Sequence, residues 1–263
     1  MTDSSRLDDA HALVCGASRG IGRAICLELG RRGARVTALA RTKEDLQSLM
    51  SELDAAGAPA PAFIIADMDD RQAMRNLVAP IVDVRGPVHV LINNTGGPAP
   101  GRLLDASEHE LRGAFSRHVL AAHDLVRIIL PGMRAAGWGR IVNVVSISVR
   151  EPLQNLGVSN VVRAGMAAWA KTLSMELPAG ITINSVLPGY TATERLHELA
   201  AQAATNQGST VTDVEETWAR SVPEGRLGTA EEIAAVIGFL ASPAASYVRG
   251  TTIAVDGGRL RSV

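Results

Sequence analysis

Seven short apolar runs alternate with longer helix-like stretches from one end of the chain to the other, and this alternation limits the fold more than any other feature. The runs occupy residues 12–15, 36–40, 62–66, 88–92, 141–145, 181–187 and 252–255. Each is rich in Val, Ile and Ala with little polar alternation, as in strands covered on both faces of a parallel sheet. Helices are expected at 21–31, 43–56, 71–84, 158–177 and 230–240, with a broken helical region at 108–136. Right-handed crossovers between such strands give an α/β fold: a doubly wound, parallel, seven-stranded sheet of Rossmann type, in a single domain over residues 1–263. The segment 188–228 is too long for a usual connection and carries two short helix candidates, 194–205 and 213–220. It reads as a lid over a pocket or as extra packing on the body.

Composition removes several classes of function. Apolar residues make up 46% and charged residues 20%, in keeping with one large core. With 26 basic and 27 acidic residues the net charge is −1, so no basic excess points to nucleic acid or an anionic membrane. No run of 18 apolar residues is present, and residues 1–10 lack the apolar stretch of a signal peptide. A cytoplasmic protein is the expectation. Cys15 and Cys26 read as small buried hydrophobes rather than a redox pair. The histidines show no metal-ligand spacing, and Ser146 and Ser148 lack the G-x-S-x-G elbow of a hydrolase, so no metal and no serine hydrolase are expected.

The chemistry-bearing motif lies after the first run. Gly16, Ser18, Arg19, Gly20, Ile21 and Gly22 form a Gly-x3-Gly-x-Gly turn that opens the first helix. Glycines there let the chain turn tightly and bring a helix N-terminus against a pyrophosphate, whose charge the helix dipole favours. A tight turn alone explains one glycine, not three. The second run ends at Arg41 with no acidic residue for ribose hydroxyls, and Arg19 is also near. An arginine at that place accommodates a 2′-phosphate, so the cofactor expected is NADP(H). The plain alternative is that both arginines are simply solvated.

At this point the sequence resembles the short-chain dehydrogenase/reductase family over nearly its whole length. The Gly16–Gly22 turn is similar to that family's fingerprint, and Asn93–Asn94–Thr95–Gly96 to its Asn-Asn-Ala-Gly motif with Thr in the Ala slot. The resemblance implies an adenine contact at Asp67 and Met68, cofactor contacts at Asn94 and Gly96, and a nicotinamide segment at Pro188, Gly189, Thr191 and Thr193. It also implies a homodimer or homotetramer. The family's catalytic set is Ser, Tyr, Lys and Asn. Ser146 fits the first slot, but Ser159 stands in the Tyr slot, Arg163 in the Lys slot and His118 in the Asn slot. A divergent subgroup with Ser-x3-Arg, 3-oxoacyl-carrier-protein-reductase-like, shares this pattern. Arg163 can still reach a nicotinamide ribose but cannot relay a proton. Ser146 and Ser159 can hold a carbonyl oxygen, while His118, water or Tyr190 supplies the proton. Two functions follow: a ketone reductase, with β-ketoacyl groups among the candidates and a small carbonyl or alcohol as partner, or a catalytically idle NADP(H)-binding sensor or assembly protein.

Overall fold

The computed structural model describes residues 4–262. Seven strands form one parallel sheet: β1 (His11–Cys15), β2 (Arg35–Ala40), β3 (Ala62–Ile65), β4 (Val90–Asn93), β5 (Gly139–Val144), β6 (Ile181–Pro188) and β7 (Thr252–Val255). Their order across the sheet is β3-β2-β1-β4-β5-β6-β7. Among the described residues nine α-helices join them: α1 (Gly20–Arg31), α2 (Lys43–Ala55), α3 (Arg71–Arg85), α4 (Glu108–Phe115), α5 (Ala121–Ala136), α6 (Gly157–Glu176), α7 (Glu194–Gln207), α8 (Val211–Arg220) and α9 (Ala230–Ala241).

The weak alternation of the apolar runs has a direct structural cause. Along β1, Ala12 and Val14 belong to the core under α1, α2 and α9, while Leu13 and Cys15 belong to the core under α3, α5 and α6. Successive side chains point to opposite faces, and both faces are covered. Cys15 and Cys26 are free and fully buried, and burial pushes the Cys15 thiol up to about 12.

Four features depart from the sequence reading. β5 begins at Gly139, two residues before its apolar run, because the sheet accommodates a charge there. The buried Arg140 guanidinium donates to the carbonyls of Ser242 (3.2 Å), Gly139 (2.9 Å) and Gly180 (2.9 Å), so no donor group is lost to burial. β4 starts at Val90 and extends through Asn93, whose Nδ2 donates to Asn143 Oδ1 across the β4–β5 pair at 2.8 Å. The region 108–136 is not interrupted by a loop. A π-helical turn, Ser116–Leu120, links α4 to α5, and turns of this kind concentrate at functional positions. The excursion 188–228 holds α7 and α8, longer than expected. They pack on each other through Ala200, Ala204 and Val214, with Trp218 at the edge.

Candidate active site and cofactor cleft

Strand order reverses between β1 and β4: from β1 the chain runs outward through β2 to β3, then returns to start β4 on the other side of β1. Connections leave the carboxyl ends of these two strands toward opposite faces, which opens a crevice where doubly wound proteins bind ligands. The Gly16–Gly22 turn forms one wall and the segment after β4 the other. Two glycines of the turn are required by contact. A Cβ on Gly16, whose φ is +60°, would lie 2.5 Å from the Asn94 carbonyl oxygen. A Cβ on Gly22 would lie 2.0 Å from the Gly16 oxygen and 2.7 Å from Asn94 Nδ2. Asn94 Nδ2 donates to that Gly16 oxygen at 3.1 Å, fastening the turn to the end of β4. Arg19, the N-cap of α1, makes no side-chain cap, so the first N–H groups of the helix keep no side-chain acceptor. This bare-backbone cradle fits a dinucleotide diphosphate.

The two arginines expected to read a 2′-phosphate are placed differently. Arg41 is largely exposed after β2, with a loose contact to Asp67 (3.9 Å). Arg19 is bridged to Glu194 at 2.6 Å, across the mouth of the cleft to the first residue of α7. Asp67 Oδ1 accepts from the Asp69 N–H (2.9 Å), and Met68 is buried in the core under α3 and α5.

Ser146 follows β5 and caps the short turn Ile147–Val149. Its Oγ accepts from the Ser148 N–H at 3.1 Å, leaving the hydroxyl proton free to donate. Helix α6 packs on that turn and carries Ser159 and, one helical turn on, Arg163. The Arg163 guanidinium reaches down between the strand ends, with Nη1 donating to the Val144 oxygen (2.8 Å) and Nη2 to the Thr95 oxygen (3.2 Å). Ser146 and Arg163 therefore converge on the carboxyl end of β5, with Ser159 on the same helix.

The π-helical turn brings His118 inward. It is 4% exposed, and its Nδ1 shares a 2.6 Å hydrogen bond with Thr95 Oγ1. Burial, with the like charges of Arg163 and Arg117, pushes the imidazole down to about 2, so it is neutral throughout the physiological range. Burial and the two neighbouring guanidiniums work against the role of proton source expected for His118, because both disfavour a protonated imidazole. A cavity of about 10 Å³ lies beside it, lined by Asn93, Thr95, Arg163 and apolar neighbours including Met68. Asn93 Oδ1, His118 Nε2 and Arg163 Nε are buried there without a hydrogen-bond partner. The sequence offered one signal for this network, Thr95 where the resembled motif has Ala.

The far wall comes from the segment after β6. Gly189 crosses Asp256 so closely that a Cβ would lie 2.7 Å from the Asp256 Cα. The Thr191 hydroxyl donates to the Gly189 oxygen, and Thr193 caps α7 by accepting from the Leu196 N–H. The Thr193 methyl meets the position where a Cβ on Gly20 would stand, at 3.4 Å, so the segment after β6 closes up against the glycine turn. The Tyr190 ring stacks on Trp218 (5.1 Å between centroids) and carries the Arg259 guanidinium over its face (5.8 Å). No group of metal-ligating side chains occurs among the described residues, and no helix among them is long and apolar enough to cross a membrane.

Comparison with known proteins agrees with this architecture. A family model described as enoyl-(acyl carrier protein) reductase matches residues 16–259. The NADPH-dependent reductase BacG of Bacillus subtilis is 32% identical over 96% of this chain and 98% of its own. The 3-oxoacyl-[acyl-carrier-protein] reductase FabG of Pseudomonas aeruginosa is 34% identical over 95% of this chain and 97% of its own. The crystal structure of L-sorbose reductase from Gluconobacter frateurii, complexed with NADPH and L-sorbose, superposes with a TM-score of 0.93 at 27% identity, covering 99% of this chain and 100% of that one. With its switch-point crevice, glycine turn and end-to-end similarity to these reductases, the chain belongs to the short-chain dehydrogenase/reductase family.

Proposed function

We propose that the protein is an NADP(H)-dependent oxidoreductase that reduces a ketone at the carboxyl ends of β4 and β5. The observation that carries this reading is the placement of Ser146. Its hydroxyl has a free proton at the edge of a crevice whose glycine turn suits a dinucleotide diphosphate. BacG and L-sorbose reductase, which are described with NADPH, support the choice of cofactor.

The residues divide the work as follows. Gly16, Gly20 and Gly22 admit the diphosphate to backbone N–H groups, and Arg41 and Arg19 supply cations for a 2′-phosphate. Asn94 and Gly96 line the crevice after β4. When bound, the nicotinamide supplies a hydride for the carbonyl carbon. Ser146, together with Ser159 from α6, donates hydrogen bonds to the carbonyl oxygen, which gathers the electron pair as the C=O π bond opens. The oxygen then takes one proton, giving the alcohol. With His118 neutral and Arg163 charged at neutral pH, the proton comes from solvent water reaching Ser146 and Ser159. Arg163 ties β4 to β5 and sets the positive potential beneath the reacting oxygen. Ser146→Ala is expected to lower kcat/KM for ketone reduction by about 10²–10³, the usual cost of one oxyanion donor. An unchanged kcat/KM would refute this role.

One observation favours a second reading, cofactor binding without turnover. No group among Ser159, Arg163 and His118 is an acid suited to neutral pH. That reading expects tight NADPH binding with no substrate-dependent consumption. A dimer or tetramer is part of the proposal, supported by the exposed face of α6, where Val161, Ala164 and Ala168 leave room for close approach of a second helix. Sedimentation tests it.

A further inference from the structure

Arg163 is a cation without a counter-ion. Its donors go to two backbone carbonyls, Val144 and Thr95, its Nε is buried without a partner, and it forms no ion pair among the described residues. Backbone carbonyls satisfy N–H groups but do not neutralise a charge withdrawn from water. A second cation approaches from the lid. Arg195, in the first turn of α7, donates from Nη2 to the Pro98 oxygen at 2.8 Å. The two guanidiniums flank one residue: a Cβ built on Gly97 would lie 3.9 Å from Arg163 Nη2 and 4.0 Å from Arg195 Nη2, with no other atom within 4 Å. Burial, helped by repulsion from Arg195, pushes Arg163 down to about 10. Arg195 Nη1 meets the Glu198 carboxylate at 3.2 Å on the exposed side of α7. An ion pair so exposed contributes little.

The location of the pair says what neutralises it. Gly97 follows the β4 segment Asn94–Gly96, and Val144 is two residues from Ser146, so the paired cations stand at the reacting end of the crevice. The Gly16–Gly22 turn that suits a diphosphate belongs to β1 and has its own arginine, Arg19. Glycine at 97 leaves the space between the two guanidiniums open. We propose that the ketone substrate carries an anionic group, a carboxylate or phosphate, that seats over Gly97 between Arg163 and Arg195. Planar guanidiniums grip such oxygens in pairs, which also fixes the direction in which the carbonyl faces Ser146. This inference rests on the ketone-reductase reading and adds to it the substrate class. It makes Arg195 a specificity-determining residue carried on the lid, so that α7 closes with the anion.

The test compares 2-, 3- and 4-oxocarboxylates with their methyl esters, in the wild-type protein and in Arg195→Gln and Arg195→Lys, with NADPH. The expected result is a preference in kcat/KM for the best acid over its ester of tenfold or more. That ratio falls about tenfold in Arg195→Gln and is partly retained in Arg195→Lys. Equal use of acid and ester by the wild type would overturn the proposal. So would a loss of NADPH affinity in Arg195→Gln as large as the loss of acid preference, since the anion would then be the cofactor's own phosphate. If no oxo compound consumes NADPH, the reductase reading fails, and the anion site is read by binding instead. The oxocarboxylates, but not their esters, should then raise the melting temperature of the protein–NADP⁺ complex, and Arg195→Gln should abolish that rise. No rise in the wild type overturns the site.

Discussion

Substitution of Gly22 by Ala puts the cofactor cradle to a quantitative test. The added methyl would stand 2.0 Å from the Gly16 oxygen and 2.7 Å from Asn94 Nδ2. The first contact is backbone on both sides, so no rotamer change relieves it. To restore van der Waals separation the start of α1 must back away from the turn by about 1 Å or more. Overpacking of this kind costs about 1–3 kcal/mol, or roughly 2–12 °C in Tm for a domain of this size. The effect on binding is larger. Charge-assisted hydrogen bonds from the helix N-terminus contribute roughly 1.5–3 kcal/mol each, and losing two raises the Kd for NADPH by about a hundredfold or more. Gly113→Ala is the control. Gly113 lies inside α4, and a Cβ there meets nothing within 4 Å. It should raise stability by about 0.5–1 kcal/mol through helix propensity and leave NADPH binding intact. Fluorescence titration with NADPH and thermal melts of both variants separate the two effects. A Gly22→Ala protein that binds NADPH within twofold of wild type would refute the argument that this turn carries the diphosphate.

Other consequences follow from particular contacts. His11 is fully buried, with Nδ1 facing the Gly86 oxygen at 3.2 Å and Nε2 meeting Thr37 Oγ1 at 2.8 Å, and burial pushes it down to about 4. Because the unfolded chain binds this proton below its ordinary pKa of 6.5 and the folded chain does not, stability falls as pH drops from 6.5 to 4. The loss reaches about 3 kcal/mol, and His118 acts in the same direction. Urea unfolding at pH 7 and 4.5 checks it, and equal stabilities would contradict it. Thr95→Val removes the partner of the His118 Nδ1 and should cost about 1–3 kcal/mol, whereas Thr95→Ser should cost less; chemical denaturation distinguishes them. Glu194→Gln releases Arg19 from its 2.6 Å bridge and should raise the preference for NADPH over NADH severalfold, while Arg41→Ala lowers it. Identical cofactor ratios in both variants would remove the arginines from 2′-phosphate recognition.

The fold was legible because its signals are local. The seven apolar runs and the glycine turn announce a parallel sheet and a helix start without reference to distant residues. Boundaries slipped where tertiary contacts override local pattern. Arg140 sits inside β5 because carbonyls from Gly139, Gly180 and Ser242 meet it, and no neighbouring residue in sequence advertises that. The site divides in the same way. The family resemblance singles out Ser146, Ser159 and Arg163, and helix α6 packs on the turn that Ser146 caps. The state of His118 could not be read from sequence, since its protonation depends on enclosure by a π-helical turn and on Arg163, 45 positions away. Arg195 escaped notice for a related reason: a lone arginine in the first turn of α7 gains meaning only beside Gly97 and Arg163.

The most direct measurement is NADPH consumption by the purified protein across ketones, β-ketoesters, β-ketoacyl thioesters and oxocarboxylates, with NADH in parallel. The account predicts turnover that prefers NADPH and falls about 10²–10³-fold in Ser146→Ala. NADPH binding with no consumption across the panel, or turnover indifferent to Ser146, would contradict it.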